Sequence, residues 1–335
     1  MIGKYKKQEL FIGGVGQKRL QESHAVILGV GALGSSTAEM LARAGIKKLT
    51  IIDRDYVEWS NLQRQQLYTE EDAALKLPKA IAAKQRLELI NSDVLIDSRV
   101  EDITGLNIEE MIKGASIIID GMDNFETRLI INDAAVKMNI PYIFGACVGS
   151  YGLTYPVIPG STPCLHCIVE QLPTQTETCD SAGIISPIVQ LVAAFQAAYA
   201  LKILAGNKAV EPILLSYDIW SMQKAEIHAD RLKDPHCPAC SQRIFPYLDS
   251  VNQTKTDILC GRDAIQIRPG VSQVYDLHAL SKSIHHIVNN MIVNPYLLAC
   301  EYEKHRVVLF KDGRAIIHGT SERARARAIY SRLVG

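Results

Sequence analysis

The sequence predicts an α/β protein, with a doubly wound and mostly parallel sheet followed by a small C-terminal α+β unit. Three observations predict this. Short apolar runs alternate with helical patterns over about the first 150 residues, a glycine-rich turn joins the first run to the first helix, and the pattern changes after Cys240. Strands that alternate with helices of this length are typical of a parallel sheet covered on both faces.

The hydrophobic pattern predicts five strands and two helices of this sheet. Most of the predicted strands are short apolar runs followed by a glycine or an acidic residue, and each helix has helical spacing or a lysine- and alanine-rich composition. The strands are predicted over 25–28, 48–52, 94–100, 117–119 and 141–148, and the helices over 33–44 and 78–90. Ligands of such sheets bind beyond the carboxyl ends of the strands, where Asp53 and Asp123 fall.

The middle of the chain contains a polar loop and a long uncharged segment. Residues 153–163 are β-like and rich in turns, and residues 174–183 form a polar loop that carries Cys179. The segment 184–201 has 18 residues without a charge, which is long enough to consider as a membrane span. It contains a proline and two glutamines and lacks an aromatic belt at both ends, so a buried or subunit-interface helix is favoured.

The change of pattern after Cys240 predicts two domains. The first is expected over residues 1–245 and the second, a small α+β extension of unknown role, over residues 250–335. In the second we predict a helix near 276–290, a hairpin over 297–310, a strand after the turn at Asp312-Gly313 and a closing basic helix.

Bulk composition excludes several classes of protein. The chain has 335 residues, of which 47% are hydrophobic, so it is long enough for two folded units and too apolar for general disorder. Its 36 basic residues balance 36 acidic ones, so the net charge indicates no nucleic-acid or membrane partner. The N-terminus has no signal-peptide pattern. We therefore expect a cytoplasmic protein that binds neither nucleic acid nor membrane.

Two CxxC pairs predict a structural zinc site. Among eight cysteines, Cys164 and Cys167 form one pair, and Cys237 and Cys240 form the other. In a cytoplasmic chain such pairs favour metal over disulfides, and two pairs present four thiolates to one tetrahedral Zn²⁺ with no open position for substrate. Unrelated surface pairs or a redox CxxC are alternatives. The adjacent histidines are alternative ligands: His166 and His236.

A glycine-rich turn predicts a nucleotide site. The run Gly29-Val30-Gly31-Ala32-Leu33-Gly34 is a GxGxxG between a predicted strand and a predicted helix. Its glycines allow close backbone approach to an anion, and the helix N-terminus offers amide donors. Asp53 ends the next strand, where a carboxylate can hold ribose hydroxyls. These features indicate a Rossmann-like fold, and by themselves they also fit NAD.

The polar residues that follow Asp53 favour a triphosphate over NAD. Arg64 has the planar fork that suits phosphate oxygens, and Lys79, on the following helix, would add a second cation. Asp123 and Asn124, just past the fourth strand, offer a hard oxygen ligand for Mg²⁺. Plain alternatives are surface charges for Arg64 and Lys79 and a helix cap for Asp123. Their combination at one edge of one sheet favours the triphosphate site.

Together these motifs resemble the MoeB/ThiF/HesA family, the bacterial relatives of ubiquitin-activating enzymes. The resemblance covers about residues 1–245. It rests on the GxGxxG, Ser60-Asn61-Leu62-Gln63-Arg64-Gln65, Pro78-Lys79, Met122-Asp123-Asn124, both CxxC pairs and Thr178-Cys179, in this order. It implies that residues 1–245 are an ATP-binding adenylation domain with the zinc site.

The resemblance implies an adenylyltransferase. Such an enzyme binds ATP and Mg²⁺ and takes the C-terminal Gly-Gly of a ubiquitin-fold sulfur carrier protein, whose carboxylate attacks the α-phosphate and releases pyrophosphate. A sulfur donor such as a cysteine desulfurase then converts the acyl-adenylate to a thiocarboxylate, and a homodimer is expected. Because the nucleophile is already an anion, catalysis is positioning plus charge neutralisation at phosphorus.

The resemblance also implies roles for individual residues. Asp53 would hold the ribose, Asn61 and Arg64 the phosphates, Lys79 the α-phosphate region and Asp123 the metal. The residues expected to bind nucleotide and magnesium are Gly29, Gly31, Ala32, Gly34, Asp53, Asp55, Ser60, Asn61, Gln63, Arg64, Lys79, Asp123 and Asn124. Those expected to act in catalysis are Asp123, Arg64, Lys79, Lys7 and Cys179.

Two positions depart from the family pattern. Members usually begin with Arg-Tyr-x-Arg-Gln, whose second arginine reaches the neighbouring subunit's ATP site. Here Lys7 takes that place, which keeps the charge but loses the planar fork. Ala32 replaces the second glycine that the loop usually has. Cys179 aligns with a cysteine that forms covalent links in some relatives, and an exposed thiol without a covalent role is the alternative.

General likeness to MoeB-type members favours the small subunit of molybdopterin synthase, a MoaD-like carrier of molybdenum cofactor biosynthesis, as the substrate. The alternative is ThiS, the carrier of thiamine thiazole biosynthesis. A nicotinamide-dependent oxidoreductase and a non-catalytic scaffold that binds the carrier are weaker alternatives. No sulfurtransferase activity is expected in the tail, because neither Cys260 nor Cys300 lies in a suitable anion-binding loop.

Overall fold

The computed structural model describes residues 3–169, 182–207, 209–249, 256–258, 263–268 and 274–334. The chain divides into two compact units. The first comprises Met1–Glu70 and Pro78–Asn252, and the second comprises Glu71–Leu77 and Gln253–Gly335.

The helices and strands of the described residues follow the predicted alternation. The strands are β1 (His24–Leu28), β2 (Lys48–Ile52), β3 (Leu95–Arg99), β4 (Ile117–Asp120), β5 (Tyr142–Val148), β6 (Tyr151–Val157), β7 (Ile213–Asp218), β8 (Gln223–His228), β9 (Thr256–Ile258), β10 (Ala264–Ile267), β11 (Asn289–Val293), β12 (Leu297–Tyr302), β13 (His305–Phe310) and β14 (Ala315–His318). The α-helices are α1 (Lys6–Leu20), α2 (Ala32–Ala44), α3 (Glu70–Ala74), α4 (Lys79–Ile90), α5 (Ile108–Met111), α6 (Phe125–Met138), α7 (Leu165–Ile168), α8 (Ser186–Leu204), α9 (Leu277–Ile284) and α10 (Arg323–Val334).

The sheet of the first unit has the order β3-β2-β1-β4-β5-β6-β7-β8. The first five strands in this order are parallel, and β6 to β8 continue the sheet antiparallel. The strand order reverses between β1 and β4, and ligands of open α/β sheets bind at such a switch point. The prediction of a doubly wound, mostly parallel sheet is therefore confirmed.

Helices cover both faces of this sheet because β1 is apolar on both sides. Val26 and Leu28 pack into a core shared with α5, α6 and α7. Ile27 faces the opposite way, toward α2, and α2 in turn contacts α4 and α8. A strand buried on both faces shows a continuous apolar run, which is the pattern that predicted β1.

Among the described residues, one helix is long and apolar enough to cross a membrane, judged by length and composition alone. This helix is α8. Its buried side chains Ile188, Val189 and Val192 pack with Leu33 of α2. The helix also contacts β5 and β6. This packing is that of a buried helix, which is one of the two interpretations that the sequence favoured.

The sheet of the second unit is antiparallel, with the order β11-β12-β13-β14-β10-β9. Leu298, Cys300 and Val307 of this sheet share a core with Ile284 of α9 and Ile329 of α10. The hairpin, the strand after Asp312-Gly313 and the basic helix lie where they were predicted. The predicted helix at 276–290 ends earlier, at Ile284, because β11 begins at Asn289.

Sequence patterns did not predict α1 or the β7–β8 hairpin. Gly13 interrupts α1 with a φ of 77°, and glycine lowers helix propensity, so the segment gives no helical signal. Every side chain of β8 is exposed, so this strand shows no alternation of buried and exposed residues.

Candidate functional site

The glycine-rich turn is held by close backbone packing at the carboxyl end of β1. Gly29 has a φ of 83°, and a Cβ there would lie 2.6 Å from the Gly121 carbonyl oxygen. A Cβ on Gly34 would lie 1.9 Å from the Gly29 carbonyl oxygen. Glycine is therefore required at both positions, as the motif predicts.

Gly31 is different, because the protein itself leaves room beside it. A Cβ on Gly31 would meet Gln65 Nε2 at 3.8 Å, which is an ordinary contact. Gly31 is the N-cap of α2, and Ala32 is the first residue of that helix. The N-terminal amides of α2 and the space at Gly31 form a cradle that fits the phosphates of a nucleotide.

Asp53 fastens this turn to the end of β2. Its Oδ2 accepts a hydrogen bond from the Val30 N–H at 2.7 Å, and its Oδ1 accepts one from the Asp55 N–H at 2.7 Å. Burial raises the pKa of Asp53, and the charge of nearby Lys79 opposes that rise. Each carboxylate oxygen has a second lone pair, so Asp53 can also accept from a ribose hydroxyl.

Lys79 pairs with Asp55 at the same edge. The Lys79 Nζ lies 3.1 Å from Asp55 Oδ2, and the Lys79 N–H donates to the Asp55 carbonyl at 2.9 Å. Lys79 is buried, so the alternative of a solvated surface charge is wrong for this residue. A buried ammonium beside the phosphate cradle is a cation that can neutralise a phosphate.

The run after Asp55 folds as a 3₁₀ helix over Trp59–Asn61. Asn61 is buried, and its Oδ1 accepts from the Glu58 N–H at 3.2 Å, so the amide closes this turn. Arg64 is half-buried and donates from Nη1 to the Ser60 carbonyl at 2.8 Å. Gln63 is exposed and donates to the Ile184 carbonyl.

Asp123 is exposed beyond the end of β4, and Asn124 is the N-cap of α6. The Asn124 side chain accepts from the Thr127 N–H at 2.9 Å and donates to Asp123 Oδ1 at 3.2 Å. The cap of α6 is therefore Asn124, and the alternative that Asp123 caps the helix is wrong. An exposed carboxylate at this edge fits a hard cation such as Mg²⁺.

Sequence reasoning missed Arg54, which lies between Asp53 and Asp55. Its Nη1 is 3.1 Å from Asp102 Oδ1, just after β3. The carboxylates of Asp102, Asp123 and Asp55 raise the pKa of Arg54 against the effect of its burial, which is the largest single influence and lowers that pKa. The position of Arg54 after a strand was a usable signal, because parallel strands end at one edge.

Sequence reasoning also missed a buried polar network below this edge. Arg128 and Asp120 form an ion pair with Nε 3.2 Å from Oδ2, and the Tyr142 hydroxyl donates to the same oxygen at 2.8 Å. Gln196 donates to the Asp120 carbonyl at 2.8 Å. Burial raises the pKa of Asp120, and Arg128 lowers it. A charged residue on the buried face of α6 was the available signal, since such charges are paired.

The four predicted cysteine ligands come together. The sulfurs of Cys164, Cys167, Cys237 and Cys240 all lie within 4.8 Å of one another. The Cys164–Cys237 and Cys167–Cys240 sulfurs are 3.5 Å apart. A tetrahedral zinc with Zn–S bonds of about 2.3 Å separates its sulfurs by about 3.8 Å, so the arrangement fits zinc. The His166 Nε2 lies 2.8 Å from Asp133 Oδ1, which takes this histidine away from the cluster.

Two other residues expected to act in catalysis, and the two cysteines of the tail, lie apart from this edge or outside the described residues. Lys7 is exposed near the start of α1. The next residue, Gln8, donates a hydrogen bond from Nε2 to the Ala44 carbonyl at 2.8 Å. Cys179 and Cys260 lie outside the described residues. Cys300 is buried, and burial raises its pKa to about 11, so little of this thiol is thiolate at neutral pH.

The chain is similar to known proteins in both sequence and fold. Residues 5–239 match the family model described as "ThiF family". Crystal structures of E. coli MccB share the fold. The MccB structure with ATP superimposes with a TM-score of 0.62 and 22% sequence identity. The match covers 71% of this chain and 75% of the MccB chain.

Two curated relatives are named as adenylyltransferases. The sulfur carrier protein ThiS adenylyltransferase of Bacillus subtilis is 54% identical to this chain. The alignment covers 100% of both proteins. The molybdopterin-synthase adenylyltransferase of Escherichia coli is 30% identical, over 68% of this chain and 90% of that protein. The predicted family and the predicted class of enzyme, an adenylyltransferase, are both confirmed. This chain belongs to the ThiF family.

Proposed function

We propose that the chain adenylates the C-terminal glycine of the ubiquitin-fold sulfur carrier ThiS, in thiamine thiazole biosynthesis. One structural observation supports adenylation: Asp53, which holds the glycine-rich turn through the Val30 N–H, also lies near the charge of the buried Lys79. The choice of ThiS is supported by the 54% identity, across both whole chains, to a ThiS adenylyltransferase. The molybdopterin carrier, favoured by the sequence analysis, has the weaker support, since the molybdopterin relative is 30% identical.

In the proposed reaction the terminal carboxylate of the carrier forms a bond to the α-phosphorus of ATP, and the bond from that phosphorus to pyrophosphate breaks. No proton needs to be removed from the nucleophile. Lys79 and Arg64 neutralise charge on the phosphates, and the N-terminus of α2 supplies amide donors. Asp53 orients the ribose, and Ser60, Asn61 and Gln63 shape the loop that presents Arg64.

Magnesium fits this edge on charge grounds. Four carboxylates, from Asp53, Asp55, Asp102 and Asp123, lie here with the cations Arg54 and Lys79. A triphosphate would add further negative charge, which a divalent cation offsets. We propose that Asp123 holds Mg²⁺, assisted by the neighbouring Asn124, and that the ion supplies charge neutralisation for the phosphates.

We propose zinc for the four-cysteine cluster, with a structural role. Burial raises the pKa of Cys237 to about 11, whereas hydrogen bonds from Cys164 and Cys167 lower that of Cys240. Four sulfurs this close cannot all become thiolates without a cation between them. Zinc would join the segment around α7 to the loop after the 3₁₀ helix at Ala229–Leu232.

A homodimer is supported by the exposed apolar side chains of α1. Leu10 and Phe11 are 75% and 91% exposed, and Val15 is also exposed. They lie close to Lys7, which would reach the partner's ATP site. We propose Cys179 as the residue that would form a covalent link with the carrier, a cysteine desulfurase as the sulfur source, and the cytoplasm as the location.

The last strand of the first sheet offers a surface for the carrier. All side chains of β8 are exposed, and the turn before it presents Trp220 and Met222. Exposed apolar residues beside an edge strand are typical of protein-binding surfaces.

ATP–pyrophosphate exchange tests the proposal. The wild-type chain should incorporate labelled pyrophosphate into ATP only when a carrier is present, with kcat/KM for ThiS above that for a MoaD-type carrier by at least about tenfold, which is 1.4 kcal/mol of discrimination. A ThiS variant without its last glycine is the control. Equal or higher kcat/KM for the MoaD-type carrier would refute the choice of ThiS, and no exchange with either carrier would refute adenylation.

A further inference from the structure

The ion pair of Arg128 and Asp120 has no role in the reaction as described above, although it is costly to build. Asp120 is fully buried and Arg128 is 3% exposed. The guanidinium carbon lies 5.3 Å from the ring centroids of both Phe125 and Phe144. A buried ion pair often stabilises a fold no more than apolar residues of similar size would. A role other than stability would therefore explain why this pair is present.

Arg128 holds the loop that leads from β4 to Asp123. Its Nη2 donates to the Met122 carbonyl at 2.6 Å and to the Gly145 carbonyl of β5 at 2.9 Å. The Met122 N–H donates to Asp120 Oδ1 at 2.8 Å. The residue directly before Asp123 is therefore held at its N–H by one member of the ion pair and at its carbonyl by the other.

The same loop packs directly on the phosphate loop. A Cβ on Gly121 would lie 2.1 Å from the Gly29 carbonyl oxygen, so these two loops touch as bare backbone. The sulfur of Met122 would lie 3.2 Å from a Cβ on Gly29. Any shift of residues 121 and 122 would therefore press on the first glycine of the GxGxxG turn.

A guanidinium suits this task better than an ammonium. Arg128 uses Nε for Asp120 and Nη2 for two carbonyls, and its guanidinium carbon also lies near two aromatic rings. Lysine keeps one charge but has no fixed fork that reaches the carboxylate and both carbonyls together.

We propose that Arg128 is a positioning residue, which orients the loop from Gly121 to Asp123 and, through Gly121, the phosphate loop, so that nucleotide and Mg²⁺ bind together. This inference rests on the proposed function, because it takes Asp123 as the magnesium ligand. Arg128 itself touches neither the nucleotide nor the metal in this scheme.

The test compares full-length Arg128→Lys and Arg128→Met with Arg314→Met. Arg314 is a matched control, because it is also buried, lies 2.6 Å from a carboxylate of Asp312 and stacks on Phe310, in the second unit. For each variant, ATP binding is titrated against Mg²⁺ by equilibrium dialysis without any carrier, and thermal unfolding is measured.

We expect the half-saturating Mg²⁺ concentration for ATP binding to rise about tenfold or more in both Arg128 variants, as when an outer partner of a metal ligand is lost. Arg314→Met should lower the unfolding temperature and leave the Mg²⁺ dependence unchanged. Arg128→Lys should unfold at a higher temperature than Arg128→Met, because it keeps a charge opposite Asp120, and yet show the same Mg²⁺ defect. In an Asp123→Asn background, Arg128→Lys should add little further Mg²⁺ defect, because coupled residues are non-additive.

Two results would overturn the proposal: wild-type Mg²⁺ dependence in Arg128→Lys, or an equal shift in Arg314→Met. Pyrophosphate exchange is measured separately from the binding titration, because exchange tests the proposed function and the titration tests the role of Arg128. If Mg²⁺ promotes ATP binding but no carrier supports pyrophosphate exchange, the proposed function fails and the binding titration still decides the role of Arg128. If ATP binding by the wild-type chain does not depend on Mg²⁺, the role of Arg128 and the assignment of Asp123 as the magnesium ligand are refuted, and the exchange assay alone decides adenylation.

Discussion

The Lys79 ammonium lies 3.1 Å from the Asp55 carboxylate, with 5% and 16% of the two side chains exposed. Asp55 comes just after β2 and Lys79 begins α4, so the pair joins the end of a strand to the start of a helix. The backbone of Lys79 also donates to Asp55. Lys79 therefore stabilises the fold, and in the proposed site the same ammonium would neutralise a phosphate.

Replacing Lys79 with Met should damage both stability and activity. The unfolding free energy should fall by about 3 kcal/mol, the usual effect of leaving a buried charge without its partner. The double variant Lys79→Met, Asp55→Asn removes both charges and should recover much of that stability while pyrophosphate exchange stays lost. Chemical denaturation and exchange assays measure the two effects, and an active double variant would show that Lys79 is only structural.

Asp123→Ala should remove activity without harming the fold. Because Asp123 is exposed, the unfolding free energy should change by no more than about 0.5 kcal/mol. Exchange should fall by at least about 100-fold, as when a group that stabilises charge in the reaction is removed. Asp230→Ala, at an exposed carboxylate of the same unit, is the control and should behave as the wild type. Wild-type exchange by Asp123→Ala would remove this residue from the mechanism.

Cys164→Ser should lose the metal and destabilise the first unit. Structural zinc in peptides contributes roughly 10–16 kcal/mol of apparent binding free energy, so even partial loss should lower the unfolding temperature by many degrees. Cys147→Ser changes a cysteine outside the cluster and should keep its zinc. Elemental analysis and thermal unfolding check this, and native protein purified without zinc would contradict it.

Cys300 should resist alkylation in the folded chain. With its pKa raised to about 11, only about one part in a thousand of this thiol is thiolate at pH 8. Iodoacetamide labelling followed by peptide mass spectrometry should find Cys300 unmodified under native conditions and modified in denaturant. Cys147, which is partly exposed, is the internal reference. Rapid native labelling of Cys300 would reopen a sulfurtransferase role for the second unit.

Local sequence signals predicted those parts of the site that lie within single motifs. The GxGxxG turn, the acid at the end of β2 and the two CxxC pairs are short runs whose residue types follow directly from backbone sterics or metal chemistry. Asp123 was found because the end of a strand can be read from an apolar run. The network of Asp120, Arg128 and Tyr142 was missed, because no spacing along the chain shows that three distant segments meet.

The sequence by itself therefore determined the alternation of strands and helices at the start of the chain, the glycine-rich turn and the two CxxC pairs, since each depends on neighbouring residues. The tertiary structure alone decided which charges are buried in pairs, as with Lys79 and Asp55. It also decided that Asn124 caps α6 while Asp123 stays exposed, and that His166 turns to Asp133. These outcomes depend on which side chains meet across strands and helices, and such meetings follow from packing in three dimensions.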